Sequence, residues 1–539
     1  MAIKFAAVAV AALASSGAFG MHLPPQHARG GELFADLVKD SFISLDATAS
    51  PKAQWFQQQL DHFTTEAPLH FLQRYYVDDT YWGNNDGNPI ILYIGGEGAM
   101  DKMPKGYVDV LAKEHKAKVV ALEHRFYGQS TPKNDLSTEN LRFLTVEQAL
   151  ADLNHFIHAY TTELTTKGNP WIAVGGSYPG ALSAWFRIAY PNATVAAISS
   201  SGVVNPIYNF HGFDEQVAES VGAECADALR SITSTYEGEI AAGRGHQVKA
   251  LLGAQALSDP DFFYMLADAA AMAVQYGTKD KLCGPMLAAV KANVSLTHAF
   301  ANYTLVKYGH AFGFGCFYDT GCLKSNVDRW PEGRSWRWQK CSQLAYFQVA
   351  PHAGSLRSSI VNLDYHEQQC FDIFGDAVDP SAGVADNIQR YGGDKPKGHN
   401  IFYANAGDDP WQRASVTSTL SLDQPFYLAK CDLCGHCGDL GDGSVDPAPR
   451  KYQKELIREY IAKWVAPWTA KAAADAKVNA AAVTVVHNNA PVVGESLNQA
   501  SNVSFLVLLP ILCLFLAFKA IMHVDLVRDA AATVRTSLL

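Results

Sequence analysis

The sequence predicts an α/β fold in which a parallel sheet forms the core and a helical segment is inserted between two parts of that core. Short apolar runs that end in loops alternate with helical patterns before residue 206. Between residues 206 and 395 this alternation stops, and the stretch contains six of the ten cysteines. One apolar run ends in a serine among glycines, Gly175-Gly-Ser177-Tyr-Pro-Gly180, and a helical pattern follows it.

Apolar residues that run together without alternation predict buried parallel strands. Such runs cover residues 89–94, 118–122, 171–174, 195–199 and 400–404, and a further apolar stretch lies at 426–429. Helices are predicted at 107–116, 145–160 and 179–189, and Thr145 with Gln148 should form a capping box. Because strands and helices alternate, the sheet should be parallel. The core should comprise residues 50–205 and 396–468, with a helical cap at 206–395.

Composition and charge exclude several classes of protein. The chain has 539 residues, of which 48% are hydrophobic and 18% charged, so it is not mainly disordered. Its formal charge of −10 provides no overall basic field for phosphate backbones. We therefore expect no nucleic-acid partner, and the sequence leaves open a homodimer.

The N-terminal residues predict export from the cytoplasm. Residues 1–20 place Lys4 before an apolar run and then small residues, which is typical of a secretory signal peptide. Four glycosylation sequons agree with export, at Asn192, Asn293, Asn302 and Asn502. We expect the protein in the secretory pathway, in a lysosomal or vacuolar lumen or at the cell surface.

The C-terminal residues predict attachment to a membrane. The Ala-rich residues 469–502 indicate a stalk, and the apolar residues 503–522 indicate a single span. Residues 523–539 should form a short cytoplasmic tail, because Lys519 near the end of the apolar stretch and Arg528 and Arg535 after it place positive charge on this side. The marginal length of that stretch leaves open the alternative that it does not span.

Nine of the ten cysteines precede the apolar tail, which contains Cys513. In an oxidising compartment most of them should be paired, and the odd number leaves at least one thiol without an intramolecular partner. Spacing alone does not give the connectivity.

Ser177 is the candidate nucleophile. A serine on a tight strand-to-helix turn has an exposed hydroxyl, and small neighbours let the strand and helix approach each other. The usual G-x-S-x-G pattern is met at Gly175 and Ser177, but Pro179 occupies its last position and the glycine is displaced to Gly180. Proline suits a first helical turn, and the backbone N–H of Tyr178 can still serve an oxyanion hole.

An acid and a histidine should follow this serine in chain order. Asp408 and Asp409 come after the predicted strand at 400–404, and His436 follows the apolar stretch at 426–429. His436 would accept the proton of Ser177, and the acid would orient the imidazole. The residue pattern favours Asp409 only slightly over Asp408. If the working pH is acidic, His436 must stay neutral, and burial could assist by lowering its pKa.

The second oxyanion donor should come from the loop after the strand at 89–94. The backbone N–H of Gly96 or Glu97 is the candidate, although these glycines could serve the turn alone. The carboxylates of Glu97 and Glu123 could instead bind a substrate amine. We expect no cofactor and no metal, although Cys431, Cys434, His436 and Cys437 could ligate zinc as an alternative. Two of these three cysteines could also form a disulfide that stiffens the histidine loop.

Several sequence blocks resemble the family of lysosomal Pro-X carboxypeptidase, dipeptidyl peptidase II and thymus-specific serine protease. The blocks are QQLDHF at 58–63, FLQRYY at 71–76, EHRFYGQS at 123–130, LTVEQALAD at 144–152, GGSYPG at 175–180 and DPW at 409–411. The block RSWRWQKC at 334–341 resembles the family's cap segment, and the resemblance implies a disulfide between Cys341 and Cys370.

This resemblance implies an α/β-hydrolase fold with an inserted helical, disulfide-bearing cap. It also implies a serine exopeptidase that hydrolyses peptides, often after proline, and it assigns the acid to Asp409 because Pro-Trp follows. The alternatives are an esterase or lipase of the same fold and an inactive cell-surface binding protein. Whether a peptide would be shortened from its amino or its carboxyl end is left open.

Overall fold

The computed structural model describes residues 51–83, 87–163, 168–309, 316–328, 332–351 and 354–488. The predicted signal peptide at 1–20, the sequon at Asn502, the apolar segment at 503–522 and the tail at 523–539 lie outside the described residues. The described residues fall into two units, 51–475 and 476–488, and the second is helical.

The core of the first unit is an eight-stranded mixed sheet. Its strands are β1 (Gln54–Gln59), β2 (His70–Asp78), β3 (Ile90–Ile94), β4 (Lys118–Leu122), β5 (Trp171–Gly176), β6 (Ala196–Ser200), β7 (Ile401–Ala406) and β8 (Phe426–Ala429). Their order across the sheet is β1-β2-β4-β3-β5-β6-β7-β8. Strands β3 to β8 pair in parallel, as predicted, whereas β1 and β2 join the edge antiparallel.

Helices cover both faces of this sheet. The core helices are α1 (Tyr107–His115), α2 (Thr138–Leu141), α3 (Val146–Glu163), α4 (Tyr178–Ala189) and α15 (Ala448–Asn488). Ile90 and Leu92 of β3 pack with α3 and α4, while Ile91 packs with α1 and α15. Both faces are therefore apolar, which is why the central strands read as continuous hydrophobic runs.

The residues between β6 and β7 form the helical cap. Its helices are α5 (Gly212–Val221), α6 (Ala223–Glu239), α7 (Gly245–Ala250), α8 (Asp259–Gln275), α9 (Lys279–Lys291), α10 (Leu296–Tyr308), α11 (Thr320–Ser325), α12 (Gly333–Gln339), α13 (Leu363–Phe374) and α14 (Pro380–Tyr391). Three disulfides hold this segment, Cys225–Cys283, Cys316–Cys322 and Cys341–Cys370. The chain thus has an α/β-hydrolase fold with a disulfide-bearing helical insertion, as predicted.

Three local features differ from the sequence-based expectation. The antiparallel strands β1 and β2 were not predicted, because their residues are largely polar or half-exposed. Gln148 donates its side-chain amide to Asp61 instead of capping its own helix, although Thr145 does accept the Gln148 N–H. The last helix, α15, passes the predicted end of the core at 468 and continues through the Ala-rich residues to Asn488, since alanine has the highest helix propensity.

The membrane attachment expected from the C-terminal sequence falls on residues outside this description. Among the described residues, no helix combines the length and the apolar character needed to cross a membrane.

Candidate active site

Ser177 lies on a sharp turn between β5 and α4. Its backbone has φ 66° and ψ −130°, a conformation that an L residue adopts only under strain. A β-carbon on Gly175 would lie 2.1 Å from the Pro179 carbonyl oxygen, and one on Gly180 would lie 2.6 Å from the Ser200 carbonyl oxygen. The displaced glycine at 180 therefore allows α4 to lie close to the end of β6. Ser177 is half-buried, and its N–H donates to Ser200 at 3.0 Å.

Asp409 and His436 form a buried pair at the ends of β7 and β8. Asp409 is fully buried, and one of its oxygens accepts the Trp411 N–H at 2.9 Å. The other oxygen, Oδ2, lies 2.7 Å from Nδ1 of His436. Because the backbone fixes the carboxylate, the imidazole is held with Nδ1 towards the acid and Nε2 away from it.

Asp408 has different partners, although it precedes Asp409 directly. Its Oδ1 accepts from the Lys279 ammonium at 2.9 Å, and its Oδ2 accepts the Leu433 N–H at 2.8 Å. Asp408 therefore ties the cap helix α9 to the loop before His436. Of the two candidate acids, Asp409 is the one beside the imidazole.

The His436 loop is anchored to the nucleophile side of the sheet. The His436 N–H donates to the Gln275 carbonyl at 2.7 Å, and the Cys437 N–H donates to Ser201 at 2.9 Å. A β-carbon on Gly176 would lie 2.8 Å from the Cys437 sulfur. Gly176, which precedes Ser177, is therefore in contact with Cys437, which follows His436. Nε2 of His436 is buried and makes no hydrogen bond to the described residues.

Burial and the neighbouring carboxylate act in opposite directions on the pKa of His436. Burial lowers this pKa, but the charge of Asp409 raises it, and the net pKa lies well above the ordinary value. Burial thus has the expected lowering effect, but the charge of the close and equally buried Asp409 outweighs it. The Cys437 thiol lies beside the ring, and burial raises its own pKa, so it is protonated at neutral pH.

Of the three cysteines around His436, two form a disulfide and one is a free thiol. Cys431 and Cys434 form a disulfide just before the histidine, which takes two of the sulfurs considered as alternative zinc ligands. Cys437 is the free and buried cysteine of the described residues. The disulfide closes the short loop that leads into Gly435 and His436.

The loop after β3 lies against the start of α4. A β-carbon on Gly96 would meet the Pro179 ring at 2.5 Å, so this loop and the nucleophile turn are in contact. Glu97 is half-buried and interacts electrostatically with His436, and desolvation raises the pKa of its carboxyl group. Glu123 is instead fully buried and bound by Arg74 at 2.5 Å and Ser130 at 2.6 Å, so it is not available to a substrate amine.

Sequence reasoning missed several cap residues around the site. Gln275 of α8 also accepts the Trp411 indole N–H at 3.0 Å, and the Trp336 ring lies 6.0 Å from the Tyr178 ring. Gln339 of α12 donates to the Tyr178 hydroxyl at 2.7 Å. Trp336 and Gln339 lie in the block at 334–341, but no local pattern indicates their contacts with the core.

Comparison with known proteins gives a matching family and similar chains. A family model described as Serine carboxypeptidase S28 matches residues 58–453. A solved carboxylesterase, EstE1 from a metagenomic library, is 12% identical with a TM-score of 0.34, and the alignment covers 81% of this chain and 96% of that one.

Three curated relatives are similar over most of the chain. The probable serine protease EDA2 of Arabidopsis thaliana is 40% identical over 397 residues, which are 72% of this chain and 80% of the relative. The thymus-specific serine protease of Homo sapiens is 28% identical over 75% of this chain and 84% of its own. The probable extracellular serine carboxypeptidase of Arthroderma benhamiae is 28% identical over 71% and 63%. This chain therefore belongs to the serine carboxypeptidase S28 family of serine peptidases.

Proposed function

We propose that this protein is a serine exopeptidase that hydrolyses peptides through an ester on Ser177. The observation that carries the proposal is the buried Asp409–His436 pair, whose free Nε2 belongs to a loop in contact with the strained turn of Ser177. A nucleophile, a base and an orienting acid are the three parts that acyl transfer requires.

In the proposed reaction, Nε2 of His436 accepts the Ser177 proton as the serine oxygen bonds to the peptide carbonyl carbon. The imidazolium then gives this proton to the leaving amine as the C–N bond breaks. Water repeats the attack on the ester and releases Ser177. Asp409 stabilises the imidazolium through its charge, in agreement with the raised pKa of His436.

The oxyanion would be bound by the backbone N–H of Tyr178 and by that of Gly96 or Glu97. Tyr178 directly follows the nucleophile and begins α4, where free N–H groups and the helix dipole favour negative charge. The contact between the Gly96 loop and Pro179 supports a second donor from this loop.

The cap supports cleavage near chain ends. Gln275 of the cap contacts both His436 and Trp411, so cap residues border the reacting groups directly. Such a covered site admits a chain end more readily than the middle of a folded chain. Trp336 and Trp411 offer apolar aromatic surface that suits a proline ring. The name of the Arthroderma benhamiae relative agrees with exopeptidase action.

The disulfides indicate a protein of the secretory pathway, either secreted or in a lumen. We propose the lysosomal or vacuolar lumen or the cell surface as its place of action. Asn192, Asn293 and Asn302 are exposed and therefore accessible for the proposed glycosylation.

A fluorophosphonate probe tests the nucleophile on the purified protein. We expect labelling that Ser177→Ala abolishes, and persistent labelling of this variant would exclude Ser177. A peptide library digested at pH 5 and pH 7 then shows which end is shortened and whether proline precedes the cleaved bond. Hydrolysis of simple esters without any peptide cleavage would favour an esterase instead.

A further inference from the structure

A chain of hydrogen bonds links the cap to the residue after Ser177. The Tyr127 hydroxyl donates to Oε1 of Gln339 at 2.5 Å, and Nε2 of Gln339 donates to the Tyr178 hydroxyl at 2.7 Å. The Tyr178 hydroxyl lies 3.2 Å from Nε2 of His124. All four side chains are buried, so solvent does not compete for these bonds.

The partners of His124 fix the direction of every hydrogen in this chain. Nδ1 of His124 lies 2.7 Å from the Arg125 carbonyl, which can only accept, so Nδ1 carries the proton. Burial lowers the pKa of His124 to about 4, so the ring is neutral and Nε2 accepts. The Tyr178 hydroxyl must then donate to His124, which leaves its lone pair for the Gln339 amide.

Gln339 is held rigidly on the cap side of this chain. It is the last residue of α12, and the π-helical turn Lys340–Leu344 follows. Ser335 donates to the Phe126 carbonyl at 3.0 Å, and the Trp338 indole donates to the Leu144 carbonyl at 3.0 Å. The Cys341–Cys370 disulfide comes two residues later. The amide of Gln339 therefore has a fixed position relative to the core.

We propose that Gln339 is a positioning residue that fixes the oxyanion-binding N–H of Tyr178 through the Tyr178 side chain. The inference rests on the proposed function, since it assigns that N–H to the oxyanion. Because its hydroxyl is bonded to both the cap and the core, the Tyr178 side chain restricts rotation of the first turn of α4. Docking of the cap thereby completes the catalytic geometry of the core.

The test compares Gln339→Met, Tyr178→Phe and the double variant of the full chain with a control, Gln343→Met. Gln343 lies in the π-helical turn that follows Gln339 and also bonds the core, to the Val146 N–H at 2.8 Å and to Glu147 at 2.8 Å, but it has no bond to Tyr178. We measure kcat and KM on a fluorogenic peptide, the Ki of a peptide aldehyde and thermal unfolding.

We expect Gln339→Met to lower kcat by roughly 10-fold to 100-fold with little change in KM, since losing an oxyanion donor outright costs more. The affinity for the peptide aldehyde should fall by a similar factor. The kcat of the double variant should be no lower than that of Tyr178→Phe. Gln343→Met should retain kcat even where its melting temperature falls.

Three results would overturn the inference: wild-type kcat in folded Gln339→Met, a loss confined to KM, or full additivity with Tyr178→Phe. If Gln339→Met does not fold, Tyr178→Phe with normal kcat overturns it equally. Absence of turnover and of fluorophosphonate labelling in the wild type would instead contradict the proposed function itself.

Discussion

Oδ2 of Asp409 lies 2.7 Å from Nδ1 of His436, while the adjacent Asp408 is bound to Lys279 of the cap. Two neighbouring carboxylates thus have separate surroundings. One lies beside the imidazole, and the other connects the cap to the core.

Replacing each aspartate by asparagine should separate these two roles. We expect Asp409→Asn to reduce kcat about 10⁴-fold, because the imidazole loses the partner that sets its tautomer. Asp408→Asn should leave kcat within a few-fold and lower the melting temperature, because a half-buried ion pair with Lys279 is broken. Kinetics and thermal unfolding on matched samples measure both effects. Equal losses of kcat would contradict the assignment.

The pH dependence of activity should follow the pKa of His436. Since only the neutral imidazole accepts the serine proton, kcat/KM should fall as the pH decreases through a pKa above about 6.5. Because this pKa is raised on folding, the pair with Asp409 contributes stability fully below about pH 6.5 and loses it as the pH rises through the folded pKa. A rate profile from pH 4 to pH 9 checks the acid limb. A midpoint well below 6 would contradict it.

Cys437 is the competing nucleophile, since its thiol lies beside His436. Burial raises the pKa of this thiol, and the side chain is 7% exposed, so a reactive thiolate is not expected. We expect Cys437→Ala to retain at least about a third of the wild-type kcat, whereas Ser177→Ala falls to the background rate. Iodoacetamide should leave the native enzyme active. Loss of activity on alkylation, absent in Cys437→Ala, would argue for the thiol.

Position 175 needs a glycine because a side chain there would collide with a neighbouring residue, and not because of its backbone angles. A β-carbon there would lie 2.1 Å from the Pro179 carbonyl oxygen, so Gly175→Ala should destabilise the fold by about 3 kcal/mol and impair the nucleophile turn. Gly238 is the matched control, since it lies in α6 with no atom within 4 Å of an added β-carbon. Gly238→Ala should stabilise the fold by about 0.5 kcal/mol or more. Urea unfolding measures both, and an equally stable Gly175→Ala would contradict the contact.

The parallel part of the fold could be predicted from local sequence. The runs that became β3 to β8 are apolar because both of their faces are covered, and this property is visible in each run alone. Strands β1 and β2 could not be found in this way, because their polar and half-exposed residues give no such signal. The family was also recognisable from its blocks, and the match over residues 58–453 confirms it.

The contacts of the candidate site could be predicted only in part. The roles of Ser177, Asp409 and His436 in catalysis stay a prediction. These residues were identified as candidates because each follows a predicted strand and because they occur in the expected order along the chain. The partners that Gln275 and Gln339 find in the core could not be predicted. Those contacts join residues far apart in the sequence, between segments whose relative position depends on the packing of the whole cap.

By itself, the sequence determined the alternation of strands and helices, the serine turn and the order of candidate groups, since these depend on residues close together in the chain. The family resemblance already assigned the acid to Asp409. Only the tertiary structure showed the contact of its carboxylate with the imidazole, left Cys437 free and raised the pKa of His436. Each of these outcomes depends on distances between side chains brought together by folding, because hydrogen bonds and charge interactions are fixed by separation and burial in space.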